Sequence, residues 1–228
     1  MPGGGEAPVA IRIRSSVAVP LPPGVATAET FDLSGNPDTL FFEEREMVGR
    51  AFPRRIAEFV SGRRCAREAL AALGIAAVAV PAGPRREPLW PDGVVGSITH
   101  CAGYCAAAVA PGESLRAIGI DAEPHAALPR GVLADVASTV ELAALHRLPA
   151  GVHWDRLLFS AKESVYKAWY PMTGRWLDFG DAEIHFDPRA QTFTARLFAA
   201  GAGPALDGRF RVTAGLALTS VAVPRPAP

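Results

Sequence analysis

Net charge is missing from this sequence, in which 23 lysines and arginines balance 23 aspartates and glutamates. That excludes a strongly basic nucleic-acid binder and leaves room only for a local basic patch. Cysteine is scarce. Cys65, Cys101 and Cys105 form no CxxC pair, and their odd number excludes a closed disulfide framework. They read as buried free thiols. His100 stands beside Cys101, but a fourth zinc ligand is missing. No apolar run is long enough to span a bilayer, and the first residues lack a signal-peptide layout. The expectation is a soluble, cytoplasmic protein with no membrane and no nucleic-acid partner. Glycine-rich nucleotide motifs are absent as well. There is no GxGxxG, and neither lysine follows a glycine as a P-loop requires.

Lysine itself is the sharpest scarcity. Lys162 and Lys167 are the only two, and every other basic position is arginine. A drift toward arginine removes lysine wherever either cation serves. A site that needs a compact point charge with movable donors, rather than a planar fork, resists that replacement. Two survivors five residues apart mark their segment.

What is present suffices for a folded chain. Apolar residues make up 49% of 228 positions, too many for disorder and enough for one large domain or two small ones. Alternation over residues 9–19 predicts a strand, and 20–24 a turn. Residues 38–49 are acidic and helical in character. Pro53 opens a helix that Gly74 stops, with Gly62 weakening its middle. On it Arg55, Arg63 and Arg67 fall within a sector of about 120°, a cationic face. Strands are expected at 94–99 and 104–110, joined by Cys101, Ala102 and Gly103, and at 117–122. Short helices fill 128–148. The longest helix runs from Trp154 to Tyr170, where Pro171 is expected to stop it. Strands follow at 182–186, 192–198 and 210–223, the last broken near Gly215, before a tail at 224–228. The pattern is α+β.

Three constellations carry chemistry. In Ile118-Gly119-Ile120-Asp121-Ala122-Glu123, alternation puts Gly119, Asp121 and Glu123 on one face, the two carboxylates about 6.6 Å apart. Such a pair repels unless a cation lies between them, and Mg2+ takes one or two carboxylates with water and phosphate oxygens. Solvated strand-end acids would read the same way. Gly119 would allow a ligand close to the backbone. In Phe159-Ser160-Ala161-Lys162-Glu163-Ser164-Val165-Tyr166-Lys167, Glu163 and Lys167 are helix neighbours. An exposed pair of that kind contributes only a few tenths of a kcal/mol, so the lysine scarcity is what singles it out. Ser97-Ile98-Thr99-His100 ends a strand, and His100 is either a phosphate donor or structural. Together these parts suit phosphoryl transfer, in which metal and cations position groups and spread charge.

The paired runs Gly119–Glu123 and Phe159–Lys167 resemble the double signature of the Sfp/EntD-type 4'-phosphopantetheinyl transferases, in letters and in spacing. Glu58-Phe59 with Gly62 to Arg67, then Arg86-Glu87-Pro88 and Gly96 to Cys101, are similar to the actinobacterial branch that serves polyketide and nonribosomal peptide synthases. The resemblance spans about residues 40–187. It implies a monomer of two similar α+β halves related by a pseudo-twofold, each an antiparallel sheet packed with a helix, divided as 1–116 and 117–228. Coenzyme A would lie between the halves. The reaction implied moves its phosphopantetheine arm onto a serine of acyl, peptidyl or aryl carrier proteins, with Mg2+ or Mn2+.

By motif position Asp121, Glu123 and Glu163 would hold the metal, and Glu163 would also be the base for the carrier serine. Lys167 would contact the pyrophosphate, with Lys162 assisting or supporting the site. Arg55, Arg63 and His100, with Ser97 and Thr99 beside them, would bind the 3'-phosphate end. Arg85 or Arg86 stands where the family has a basic residue facing the nucleotide, in a loop that lacks the family's usual lysine. A metal-dependent pyrophosphate hydrolase, or a noncatalytic coenzyme A- or carrier-binding module, would use the same residues.

Overall fold

The computed structural model describes residues 18–49, 51–199, 201, 203, 205–213 and 215–225. The strand expected over 9–19 lies outside them except for Ala18 and Val19, which are not strand. In chain order the elements are β1 (Ala26–Thr30), α1 (Phe42–Glu46), α2 (Pro53–Ala72), β2 (Val94–Cys101), β3 (Tyr104–Pro111) and β4 (Leu115–Pro124). Then come α3 (Val132–Val136), α4 (Thr139–Leu145), α5 (Trp154–Thr173), β5 (Ala182–Asp187), β6 (Thr192–Leu197), β7 (Leu206–Thr213) and β8 (Leu216–Pro224). One antiparallel sheet has the order β1-β3-β2, and a second has the order β4-β8-β7-β6-β5. The chain is α+β. Among the described residues no helix is long and apolar enough to cross a membrane.

Local chemistry explains the long helices. Pro53 sits at the start of α2, where its missing N–H costs nothing. Gly74, at φ 78°, ends the helix: its N–H bonds Ala71 O, and Ile75 N–H reaches back to Leu70 O. α5 does not stop at Pro171. It runs on to Thr173 and ends at Gly174, in the left-handed conformation. A proline in the last turn gives up only its own N–H bond, so the turn survives it. The strand expected over 210–223, broken near Gly215, is a hairpin, β7 and β8, with Gly215 at φ 78° in its turn, and β2 extends to include Cys101.

Strand alternation stacks the layers. In β3, Cys105, Ala107 and Val109 face α2 among Cys65, Ala66, Ala69 and Leu70. Tyr104, Ala106, Ala108 and Ala110 face the other way, onto Ile118, Ile120 and Ala122 of β4 and Leu218 of β8. The alanines on both faces let the two sheets and α2 close on a strand that is buried from Tyr104 to Ala110. α5 covers the far face of the second sheet, with Leu157, Leu158, Ala161 and Val165 packed among Ile184, Phe193 and Phe210. All three cysteines are buried and free.

Each half carries the same polar hub. Glu44 of α1, fully buried, accepts from Phe41 N–H, Val80 N–H and Arg67 Nη1 of α2. Glu141 of α4, 1% exposed, accepts from Ser138 N–H, Ile184 N–H and Lys162 Nζ of α5. In both hubs an acid on a short helix caps its own helix start and accepts from the long helix and from a backbone N–H further along the chain: Val80, ahead of β2, in one, and Ile184, within β5, in the other.

Candidate active site

β2 and β4 are edge strands of their sheets, and they meet side by side. Ser97 Oγ accepts from Ile120 N–H at 3.1 Å, and Thr99 Oγ1 accepts from Ala122 N–H at 3.0 Å. The hydroxyls thus substitute for the strand partner that β4 lacks on this edge. Beside this junction, between α2 and α5, opens a cleft of about 390 Å³. Its lining includes Arg55, Arg63, Arg85, Arg86, Ser97, Thr99, His100, Asp121, Glu123, Glu163 and Lys167.

One wall is acidic. The odd residues of β4 face α5, and α5 comes close because Gly119 has no side chain: a Cβ there would lie 1.9 Å from Ser164 O. The close approach expected of a ligand at Gly119 is made by the helix backbone instead. On α5, Arg156, Glu163 and Lys167 are spaced seven and four apart, so they form one stripe along the helix. Lys167 Nζ donates to Asp121 Oδ1 at 2.7 Å, Ile120 O at 3.2 Å and Thr99 Oγ1 at 3.5 Å. Arg156 Nη1 donates to Glu123 Oε2 at 2.9 Å. Glu163 lies between these pairs with no hydrogen-bonded cation of its own among the described residues.

Three acids therefore face two cations. Burial, then the charge of Asp121, pushes the Glu163 carboxyl above its ordinary value, with Lys167 opposing. Burial and Asp121 push Glu123 the same way against Arg156. Asp121 Oδ2 is buried without a partner. Among the described residues no group of three or more acid, histidine or cysteine side chains is placed so that it could hold a metal ion.

The opposite wall is cationic. Arg63 of α2 is 5% exposed, with its guanidinium 4.0 Å above the Phe59 ring centroid and Nε without a partner. Burial lowers its pKa to about 10, so it stays charged at neutral pH. Arg55 Nη1 donates to His100 Nε2 at 3.0 Å, which places the ring proton on Nδ1, 3.7 Å from Glu58 Oε2. Burial holds His100 below its ordinary pKa; Glu58 opposes, and Arg55 and Lys167 add to the lowering. The third member of the expected cationic face, Arg67, is committed to Glu44 instead. At the rim Arg85 lies 5.4 Å over the Trp176 ring, and Arg86 holds a turn at φ 68°.

Lys162 does not belong to the cleft. Its ammonium, 3% exposed, donates to Val136 O, Glu141 Oε2 and Phe179 O, each at 2.8 Å, which uses all three of its donors. Of its two expected roles, assisting at the pyrophosphate is corrected, because the ammonium lies outside the cleft; it fastens α5 to its surroundings, which is a supporting place. Ser97 and Thr99 line the cleft, but their oxygens are engaged in joining the strands. Three neighbours were missed in the sequence. Glu58 and Tyr166 line the cleft, and Arg156 holds Glu123. Glu58 and Tyr166 lie inside the conspicuous motifs, while Arg156 carries no signal apart from its place in the stripe.

A family model described as the 4'-phosphopantetheinyl transferase N-terminal domain matches residues 43–110, and one for the 4'-phosphopantetheinyl transferase superfamily matches 117–210. The chain is 50% identical to 4'-phosphopantetheinyl transferase Svp of Streptomyces mobaraensis, over 92% of this chain and 90% of that one. It is 45% identical to PptT of Mycobacterium tuberculosis, over 78% and 84%, and 44% identical to Npt of Nocardia iowensis, over 89% and 97%. With two matched family regions and relatives this similar over most of their length, the chain belongs to the 4'-phosphopantetheinyl transferase superfamily.

Proposed function

We propose that this chain transfers the 4'-phosphopantetheine arm of coenzyme A to a serine of acyl, peptidyl or aryl carrier domains, releasing adenosine 3',5'-bisphosphate. The holo carriers would serve polyketide, nonribosomal peptide or fatty acid synthesis. One observation carries the reading: a single cleft has buried arginine on one wall and an acid-rich seam with a lysine on the other. A diphosphate with a distant third phosphate, which is the layout of coenzyme A, matches cations at both ends. Arg55, Arg63 and His100 would take the 3'-phosphate, and Arg85 and Arg86 the nucleotide side. Lys167 would face the pyrophosphate. We take 1–116 and 117–228 as the halves that bring these walls together, in a monomer acting in the cytoplasm.

The acidic seam offers the oxygen donors that a hard divalent cation takes. It carries one carboxylate more than its cations balance, and a buried oxygen of Asp121 has no partner. Asp121, Glu163 and Glu123 would hold Mg2+ or Mn2+, water and phosphate oxygens completing the shell. Bound there, the ion would neutralise charge developing on the diphosphate.

The chain's own residues do the rest. Glu163, its carboxyl held above the ordinary range by burial and by Asp121, accepts the proton of the carrier serine. The serine Oγ forms a bond to the β-phosphorus as the bond to the bridging oxygen breaks, and the electron pair leaves with adenosine 3',5'-bisphosphate. Lys167 meets the negative charge that appears there.

Incubation with coenzyme A, Mg2+ and an apo carrier protein tests this by mass spectrometry. A phosphopantetheine adduct on the carrier serine is expected. Coenzyme A consumed with no adduct would mean hydrolysis, and coenzyme A left intact would mean a binding module.

A further inference from the structure

Arg156 pairs with a cleft acid, Glu123, without lining the cleft itself. It stands in the first turn of α5, and all of its nitrogens are committed. Nε donates to Ala126 O at 3.0 Å, Nη2 to Ala127 O at 2.9 Å and Nη1 to Glu123 Oε2 at 2.9 Å. Beside it, Asp155 Oδ2 accepts from Leu128 N–H at 2.8 Å. The first turn of α5 thereby clamps the chain leaving β4, at backbone and side chain together. A fork that also grips two carbonyls cannot swivel, so Glu123 is held by one defined oxygen. Among the described residues no other hydrogen bond reaches the Glu123 carboxylate. Oε2 belongs to Arg156, and Oε1 is the oxygen left to offer.

We infer that Arg156 is a positioning residue that restricts Glu123 to one available oxygen and so sets which divalent ion the cleft prefers. This rests on the proposed metal role of the seam. Mg2+ demands near-ideal octahedral geometry and keeps several waters, whereas Ca2+ accepts more oxygens and bidentate carboxylates. A carboxylate that can present only one oxygen disfavours the larger ion. Released from Arg156, Glu123 offers both.

The readout is a ratio. Loss of a positive charge near the seam strengthens every divalent ion alike, and loss of structure weakens every ion alike. Only a change in what Glu123 can present alters Mg2+ relative to Ca2+. Calorimetric titration of each ion into the full chain saturated with coenzyme A, with no carrier protein and with coenzyme A alone as the blank, measures it. Arg156→Gln lowers the Mg2+ to Ca2+ affinity ratio about tenfold, the scale on which partners of metal ligands act. Arg156→Lys, which keeps the charge without the fork, lowers it similarly. In a Glu123→Gln background Arg156→Gln produces no further change. An unchanged ratio in a folded Arg156→Lys protein overturns the inference, as does a shift that persists without the Glu123 carboxylate. If the wild-type protein binds neither ion, the metal reading itself fails, which is a different result from equal ratios.

Discussion

Gly119 of β4 and Ser164 of α5 touch backbone to backbone: a methyl group on Gly119 would lie 1.9 Å from Ser164 O and 2.7 Å from Ala168 N. The whole acidic wall depends on this contact. It sets the distance between the strand that carries Asp121 and the helix that carries Glu163 and Lys167. Gly119→Ala has no flexible side chain to push aside, so α5 itself must move. We expect a loss of about 1–3 kcal/mol, the usual cost of overpacking. Transfer should fall further than stability does, because the Lys167–Asp121 pair is pulled apart. Thermal melts and steady-state kinetics check both, and a variant with normal Tm and normal turnover would show that the spacing is not critical.

Lys162 and Glu141 form a buried pair, so removing one partner strands the other. Lys162→Met is expected to cost about 3–5 kcal/mol, or roughly 10 °C in Tm for a chain of this size. Adding Glu141→Gln should recover part of that loss. At low temperature the folded fraction should keep its transfer rate within about tenfold. A stably folded Lys162→Met protein slowed by about 10²–10³, the scale of a lost charge-stabilising donor, would return this lysine to the reaction.

Glu163→Gln separates chemistry from stability. Removing the proton acceptor should lower kcat by about 10²–10⁴. The ligand-free protein should melt higher, because a carboxylate crowded by Asp121 and Glu123 in a buried site is replaced by a neutral amide. A drop in both Tm and kcat would mean that Glu163 holds the fold.

The depressed pKa of His100 makes ligand-free stability depend on pH. Its folded value lies below the ordinary 6.5, so between the two the unfolded chain binds more protons, and stability rises with pH. The contribution is present above pH 6.5 and is lost as pH falls through the folded value. Of the surrounding charges, Arg55 and Lys167 act with this trend, and Glu58 and Asp121 against it. Denaturant melts at stepped pH should show His100→Asn with a shallower slope than wild type below pH 6.5. Parallel curves would assign the slope to other groups.

The lysine scarcity turned out to have one physical reason and two outcomes. Both ammonium groups meet three converging acceptors, which suits three movable donors and does not suit a planar fork. Only Lys167 does so at the cleft. Five residues along a helix rotate a side chain through about 140°, enough to place one lysine against the substrate wall and the other in the core. Arg67 diverged from Arg55 and Arg63 for a similar reason, a buried glutamate 23 residues earlier in the chain. β1 was not legible because Ala26-Thr27-Ala28-Glu29-Thr30 has little strand character of its own, and its pairing with β3 makes it a strand.

Alternation and helix spacing are local properties, so the sequence alone determined that Asp121 and Glu123 share a face of β4 and that Glu163 and Lys167 share a face of α5. Its motifs also named the family. Which charges meet across the junction is a long-range property. The stitching of β4 by Ser97 and Thr99, the approach of α5 over Gly119, the burial of Lys162 and the hold of Arg156 on Glu123 all join segments distant in the chain. Only the packing of the two sheets brings those partners within bonding distance.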